Sequence, residues 1–142
     1  MTEKKTLRII DANFNRAREG LRVIEDGLRF YYDSNENYIK RIKNLRHRLS
    51  EAVEKNFGFS SIKKERDSSY DVGKDIDSRQ MQTARQVIER NFMRTGEALR
   101  TLEEYSKIIV PEVSLLFHNL RFDLYEIEKE VVLFLDRKDE KN

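Results

Sequence analysis

One block of residues occurs twice in this chain, so the fold must house two copies of the same local pattern. Ile10, Asn13, Phe14, Arg16, Glu19, Leu21, Arg22 and Glu25 return unchanged as Ile88, Asn91, Phe92, Arg94, Glu97, Leu99, Arg100 and Glu103, an offset of 78 residues with eight of sixteen positions identical. A second block follows each copy: Asn44, Leu45, Arg46 and Leu49 reappear as Asn119, Leu120, Arg121 and Leu124, 75 residues later. The unit is a two-part module, duplicated. A duplicated core needs only apolar residues, so the shared Asn, Arg and Glu ask for a separate cause.

Apolar residues recur at helical spacing throughout. Ile10, Phe14, Ala17, Leu21, Ile24, Leu28 and Tyr31 follow steps of three and four, which places them on one side of a helix. The spacing predicts a first helix over 7–32. Asp33 and Glu36 stand like a capping box ahead of a second helix, whose stripe is Tyr38, Ile42, Leu45, Leu49, Ala52 and Val53. In the second copy Ala84, Ile88, Phe92, Thr95, Leu99, Leu102 and Ser106 mark a third helix, ending near Val110 because Pro111 disfavours helical geometry before it. Pro111 opens a fourth, with Val113, Leu116, Phe117, Leu120, Leu124, Ile127 and Val131 facing inward.

Neither hairpin can bury its apolar face alone. The expectation is therefore an all-α single domain over 1–142, an antiparallel four-helix bundle built from a duplicated helical hairpin. Repeat one covers 7–57 and repeat two 78–135; a long polar loop over 58–77 connects them, and the charged end, 136–142, is expected to fray.

Composition excludes several classes of function. With no cysteine there is no thiolate chemistry, Cys-based zinc site or disulfide framework, which fits a reducing cytoplasm. No apolar run reaches bilayer-spanning length, and the first residues lack an apolar signal core, so a cytoplasmic protein without a membrane partner is expected. The 28 Lys and Arg are balanced by 26 Asp and Glu interleaved along the same segments, which disfavours nucleic-acid binding. Gly73-Lys74 lacks the glycine and hydroxyl residues of a P-loop, and His47 and His118 have no metal-ligand spacing.

The repeated polar residues define the candidate site. On a helical wheel Asn13 falls on the apolar side and Arg16 at its edge beside Gly20; Asn91 and Arg94 repeat the placement, with Gly96 close by. A buried Asn needs hydrogen-bond partners and an edge Arg needs anions. Two readings stand: internal pairing with carboxylates of the opposite repeat, or a polar cavity at the bundle end. Glu19, Arg22 and Glu25, with Glu97, Arg100 and Glu103, permit local ion pairs at spacing three. In the connecting loop, Arg66, Asp67, Asp71 and Lys74 bring acids and bases together, suited to a hard cation and to phosphate, although taken alone such a polar stretch reads first as a solvated linker.

Taken in order, Arg8, Asp11, Asn13, Arg16, Glu19, Gly20, Arg22, Glu25 and Asp26, then Asn44-Leu45-Arg46-His47, Arg66-Asp67 with Asp71-Val72-Gly73, and Asn91, Phe92 and Arg94 through Leu102-Glu103-Glu104-Tyr105 resemble the small monofunctional hydroxymethylpyrimidine phosphate kinase family of thiamine biosynthesis. That family occurs alone or fused ahead of thiamine-phosphate synthase, and the resemblance covers about 8–130. It implies transfer of the ATP γ-phosphate to the pyrimidine monophosphate, with Mg²⁺. The acceptor oxygen is already a nucleophile, so the obstacle is repulsion between two anions, met by positioning and neutralisation rather than by a general base.

For that chemistry the expected roles are phosphate clamping by Arg16, Arg94 and Arg66 and substrate binding by Asn13, Asn91, Arg22, Arg46, Arg100 and Arg121. Asp67 and Asp71 are expected to hold Mg²⁺. Small-molecule pyrimidine phosphate and ATP are the expected ligands, with thiamine-phosphate synthase or a second copy of the chain as protein partners. A helical module that docks such a partner without catalysis is the competing class.

Overall fold

The computed structural model describes residues 2–67 and 80–141, and all regular structure among them is helical. The elements are α1 (Thr2–Asp26), continued by a π-helical turn (Gly27–Tyr31), then α2 (Glu36–Asn56), α3 (Phe59–Lys64), α4 (Ala84–Ser106), a 3₁₀ turn (Pro111–Val113) and α5 (Ser114–Lys141). The all-α bundle is as expected; it contains a fifth, short helix. α1 packs on α4 and α2, and α5 on α4 and α2, leaving α1–α4 and α2–α5 as opposite sides.

Most of the apolar stripes form the core: Ile10, Phe14, Ala17, Leu21, Ile24 and Leu28 from α1 and its extension, Ile88, Phe92, Leu99 and Leu102 from α4, with Leu45, Leu49, Phe117 and Leu124 from the other two long helices. Tyr31 and Leu116, expected on the inward faces, are instead exposed, Tyr31 because the π-helical turn changes the helical register ahead of it. α1 and α4 run antiparallel, because Gly20 lies against Thr95 while Gly27, seven residues later, lies against Ile88, seven residues earlier. Glycine sets their separation. A Cβ at Gly20 would stand 2.3 Å from Thr95 Oγ1 and 3.4 Å from the Asn91 carbonyl oxygen.

Three further expectations need correction. The second helix is capped by Asn35, whose side chain accepts from the Asn37 N–H at 3.0 Å; Asp33 instead sits at φ 49°, where it ends the preceding helical run. Asp tolerates that left-handed geometry better than most side chains. Within 58–77, residues 59–64 are α3, not loop: Ile62 is buried and Phe59 stacks on Phe14 at 5.3 Å. The expected frayed tail is helical through Lys141, held where Arg85 of α4 meets both Asp136 (2.7 Å) and Asp139 (2.5 Å). The capping box of the third helix falls at Thr83 and Gln86, and Pro111 opens the turn before α5.

Candidate functional site

Side chains on the outer edge of the α1–α4 seam leave a cavity of about 580 Å³, lined by Asn13, Arg16, Glu19, Gly20 and Val23 from α1 and by Asn91, Arg94, Glu97, Ala98 and Thr101 from α4. Each α1 residue is matched by the one 78 positions later. The two repeats thus contribute equivalent positions to one cavity, which lies along the middle of the seam rather than at the bundle end. Gly20 and Ala98 form its floor, where Gly20 lets α1 close directly on Thr95 and Asn91 of α4.

The asparagines are held from behind. Asn13 Nδ2 donates to the Ile9 carbonyl (2.9 Å) and Asn91 Nδ2 to the Val87 carbonyl (2.8 Å), each one turn back on its own helix. This fixes each carboxamide, leaving its oxygen as an acceptor. Arg16 and Arg94 are exposed, and neither guanidinium has an ion-pair partner among the described residues. Two cations therefore enter the same cavity without a neutralising side chain of their own, beside the carboxylates of Glu19 and Glu97.

Arg46 and Arg121 lie elsewhere, paired inside their own hairpins. Arg46 Nη1 donates to Glu25 Oε1 at 2.9 Å, while Arg121 donates to Glu103 Oε1 from Nε at 3.0 Å, with Nη2 in ion-pair contact with the same oxygen at 2.9 Å. These are again equivalent positions, and the pairing runs between the two helices of one repeat, not across to the opposite one. Glu25 and Glu103 are buried, so each carboxylate depends on its arginine. Burial pushes the Glu103 carboxyl up, but hydrogen bonds from Arg121 and His118, with their charge, outweigh it and hold it below the ordinary glutamate value. Arg22 reaches Glu25 at 3.7 Å, and Arg100 pairs with Glu104 at 3.3 Å on the helix surface.

Arg66 clamps the buried carboxylate of Asp11, with Nε to Oδ2 at 2.8 Å and Nη2 to Oδ1 at 2.7 Å. This bidentate bond is the main reason the guanidinium is even harder to deprotonate than usual, and Glu19 adds to it through its charge. Arg66 itself is not among the residues lining the cavity. Asp67 is exposed, and Asp71, with Gly73 and Lys74, lies outside the described residues. No cluster of three or more His, Cys, Asp or Glu suited to a metal ion occurs among the described residues.

Asn13, Asn91, Arg16 and Arg94 are thus brought together, whereas Arg22, Arg46, Arg66, Arg100 and Arg121 are not part of that lining. Glu19 and Glu97 join the lining beyond the expected site residues, and their repetition is the sequence signal for it. Asp11 gave no such signal, being glutamate in the second copy.

The flank of the bundle thus gathers two matched arginines and two matched asparagines, one pair from each repeat, around one cavity. The profile of the ThiD2 family matches residues 8–130, and the chain belongs to that family. Curated relatives include thiamine-phosphate synthases of Prochlorococcus marinus subsp. pastoris, 38% identical over 133 residues (92% of this chain, 36% of the relative), and of Gloeobacter violaceus, 36% identical over 129 residues (89% and 36%). A third, from another strain of Prochlorococcus marinus, is 37% identical over 129 residues, 89% of this chain and 35% of the relative. The chain spans about a third of the length of these relatives. No solved structure gives a significant match. No helix among the described residues is long and apolar enough to cross a membrane.

Proposed function

We propose that this chain acts in thiamine biosynthesis as a kinase, transferring the ATP γ-phosphate to hydroxymethylpyrimidine phosphate to give the diphosphate. The observation that carries the reading is the α1–α4 cavity, where Arg16 and Arg94 meet without ion-pair partners among the described residues. An acceptor phosphate oxygen forms the new bond to the γ-phosphorus as the bond to the β,γ-bridging oxygen breaks, and its electron pair leaves with ADP. Two guanidiniums at that locus offset the repulsion between donor and acceptor anions, and each fork matches phosphate oxygens geometrically. The Asn13 and Asn91 oxygens, fixed by their back-bonds, suit the exocyclic amine of an aminopyrimidine.

Mg²⁺ bound with ATP supplies further neutralisation of phosphate charge. Glu19 and Glu97 offer it oxygen donors in the cavity, and Asp67 and Asp71 remain proposed donors from the connecting segment. Arg46 and Arg121 take a positioning role here, fixing each hairpin through Glu25 and Glu103. Arg66 does the same for the connecting segment through Asp11, and Arg22 and Arg100 remain proposed substrate contacts from outside the cavity.

The test is incubation of purified protein with hydroxymethylpyrimidine phosphate, ATP and Mg²⁺, followed by anion-exchange separation. Enzyme-dependent diphosphate with stoichiometric ADP is expected; its absence from folded protein sinks the kinase reading.

One feature favours a second reading. α5 exposes Leu115, Leu116, Phe122, Tyr125 and Leu133, an unusual apolar load for one helix of a small bundle. A non-catalytic module docking thiamine-phosphate synthase through α5 would bind the purified synthase without nucleotide and show no saturable ATP binding.

A further inference from the structure

The polar cavity continues at one end into a second, apolar groove of about 440 Å³, formed by Val23, Gly27, Phe30 and Tyr31 against Val87 and Ile88. Val23 lines both spaces. The groove exists because the π-helical turn swings Phe30 and Tyr31 outward, 68% and 69% exposed, while Gly27 lets Ile88 pack directly against the α1 backbone as its floor, where a Cβ would stand 2.8 Å from the Ile88 side chain. π-turns of this kind occur often at functional sites. Both rings are backed: the Arg29 guanidinium lies 4.9 Å over Phe30, and Tyr31 rests 5.0 Å from Tyr32. The repeat breaks here, since 78 positions later Gly27 becomes Tyr105 and Phe30 and Tyr31 become Ile108 and Ile109.

Building on the kinase reading above, we infer that this groove takes the adenine ring of ATP, so that the Gly27 end of a nearly symmetric cavity fixes the direction in which the nucleotide lies. Length decides between the two substrates. The cavity is centred near Gly20 and the groove near Gly27, seven residues along α1 and so about 10 Å apart. A pyrimidine joined to its phosphate through one CH₂–O link is too short to put its ring in the groove and its phosphate between Arg16 and Arg94. In ATP a ribose and two further phosphates separate the base from the γ-phosphate, which gives the required reach. Exposed aromatic faces are what a base needs for stacking, and the pyrimidine is left the opposite end of the cavity, toward Thr101.

The test compares ATP with methyl triphosphate, which has the same charged chain but no base or sugar, by calorimetry in the presence of Mg²⁺. Wild-type protein should bind ATP about ten-fold more tightly or better. The Phe30→Ala/Tyr31→Ala variant should lose most of that advantage while its affinity for methyl triphosphate is unchanged; both side chains are largely exposed, so folding is spared, which circular dichroism checks. In turnover, KM for ATP should rise and KM for the pyrimidine phosphate should not. An ATP advantage that is missing in wild type or survives the substitution overturns the groove assignment and leaves the kinase reading standing. A rise confined to the pyrimidine KM also overturns it. Failure of both ligands to bind folded wild-type protein overturns both.

Discussion

Arg121 grips Glu103 with a hydrogen bond from Nε at 3.0 Å and an ion-pair contact from Nη2 at 2.9 Å, in the position where Arg46 meets Glu25 at 2.9 Å in the preceding repeat. Both carboxylates are buried, so removing one partner leaves an uncompensated charge inside the hairpin. Arg121→Met should therefore destabilise by about 3 kcal/mol, and Glu103→Leu in the same chain should recover much of the loss, because a well-packed apolar pair often matches a buried ion pair. Urea unfolding of the two single variants and the double variant checks this. A stable Arg121→Met protein lacking only activity would return Arg121 to the substrate-binding role.

That pair also shows what sequence reasoning reaches. The apolar stripes were legible because their period depends on one helix at a time, and Ile10, Phe14, Leu21 and Ile24 are buried as their spacing requires. Glu25 and Arg46 lie on different helices, and their meeting depends on how far α2 slides along α1, which no helical wheel contains. Repetition marked Asn13, Arg16, Asn91 and Arg94 as special, and Gly20 hinted at a close approach. It could not say that α1 and α4 meet so that all four face one cavity. α3 escaped notice because Phe59 and Ile62 supply only two apolar positions, too few to establish a period. At the second helix, Asp33 and Asn35 are both competent caps, and the choice is made by the backbone turn that ends the run before it.

Thr95 Oγ1 is the buried side-chain polar atom left without a hydrogen bond among the described residues, and it faces Gly20. At the offset positions the facing residues are Ala17 and Ala98. Gly20→Ala should destabilise by about 1–3 kcal/mol through overpacking, whereas Thr95→Ala alone should be neutral or stabilising because it removes the orphaned hydroxyl. Combining them reproduces the alanine pair of the other repeat. The double variant should then be at least as stable as wild type, helped by about 1 kcal/mol of helix propensity at position 20. Thermal unfolding of all three proteins reads the effect; additive losses in the double variant would disprove the steric coupling.

The acid sensitivity of the fold should follow two glutamates of opposite sign. Glu103 is held below the ordinary value of 4.5, so its contribution is present above that value and is lost as the pH falls through the lower folded value. Glu103→Gln should unfold more easily at neutral pH and show a weaker loss of stability on acidification. Glu128 is pushed above 4.5 by burial and then by Glu89, so its contribution is present below the ordinary value and lost as the pH rises through the raised one. Glu128→Gln should stabilise the protein at neutral pH, with the gain vanishing in acid. Urea midpoints measured across the acid range separate the two, and parallel profiles for both variants would contradict these shifts.

Arg16 and Arg94 offer the most direct separation of chemistry from folding, since both are exposed and unpaired with carboxylates among the described residues. Replacing either by Ala should leave the melting temperature near wild type. Each should lower kcat by about a hundred-fold or more if its guanidinium meets charge that develops on the transferring phosphate. Lysine should rescue only in part, because it keeps the charge but not the two-pronged geometry that a phosphate accepts. The double variant carries the sharper information. Two arginines acting on the same phosphate form one unit, so removing both should cost much less than the product of the separate losses. Independent, multiplicative losses would mean that each arginine serves a different anion, one on the nucleotide and one on the pyrimidine phosphate. Unchanged kcat in both single variants would remove the cavity from the reaction altogether.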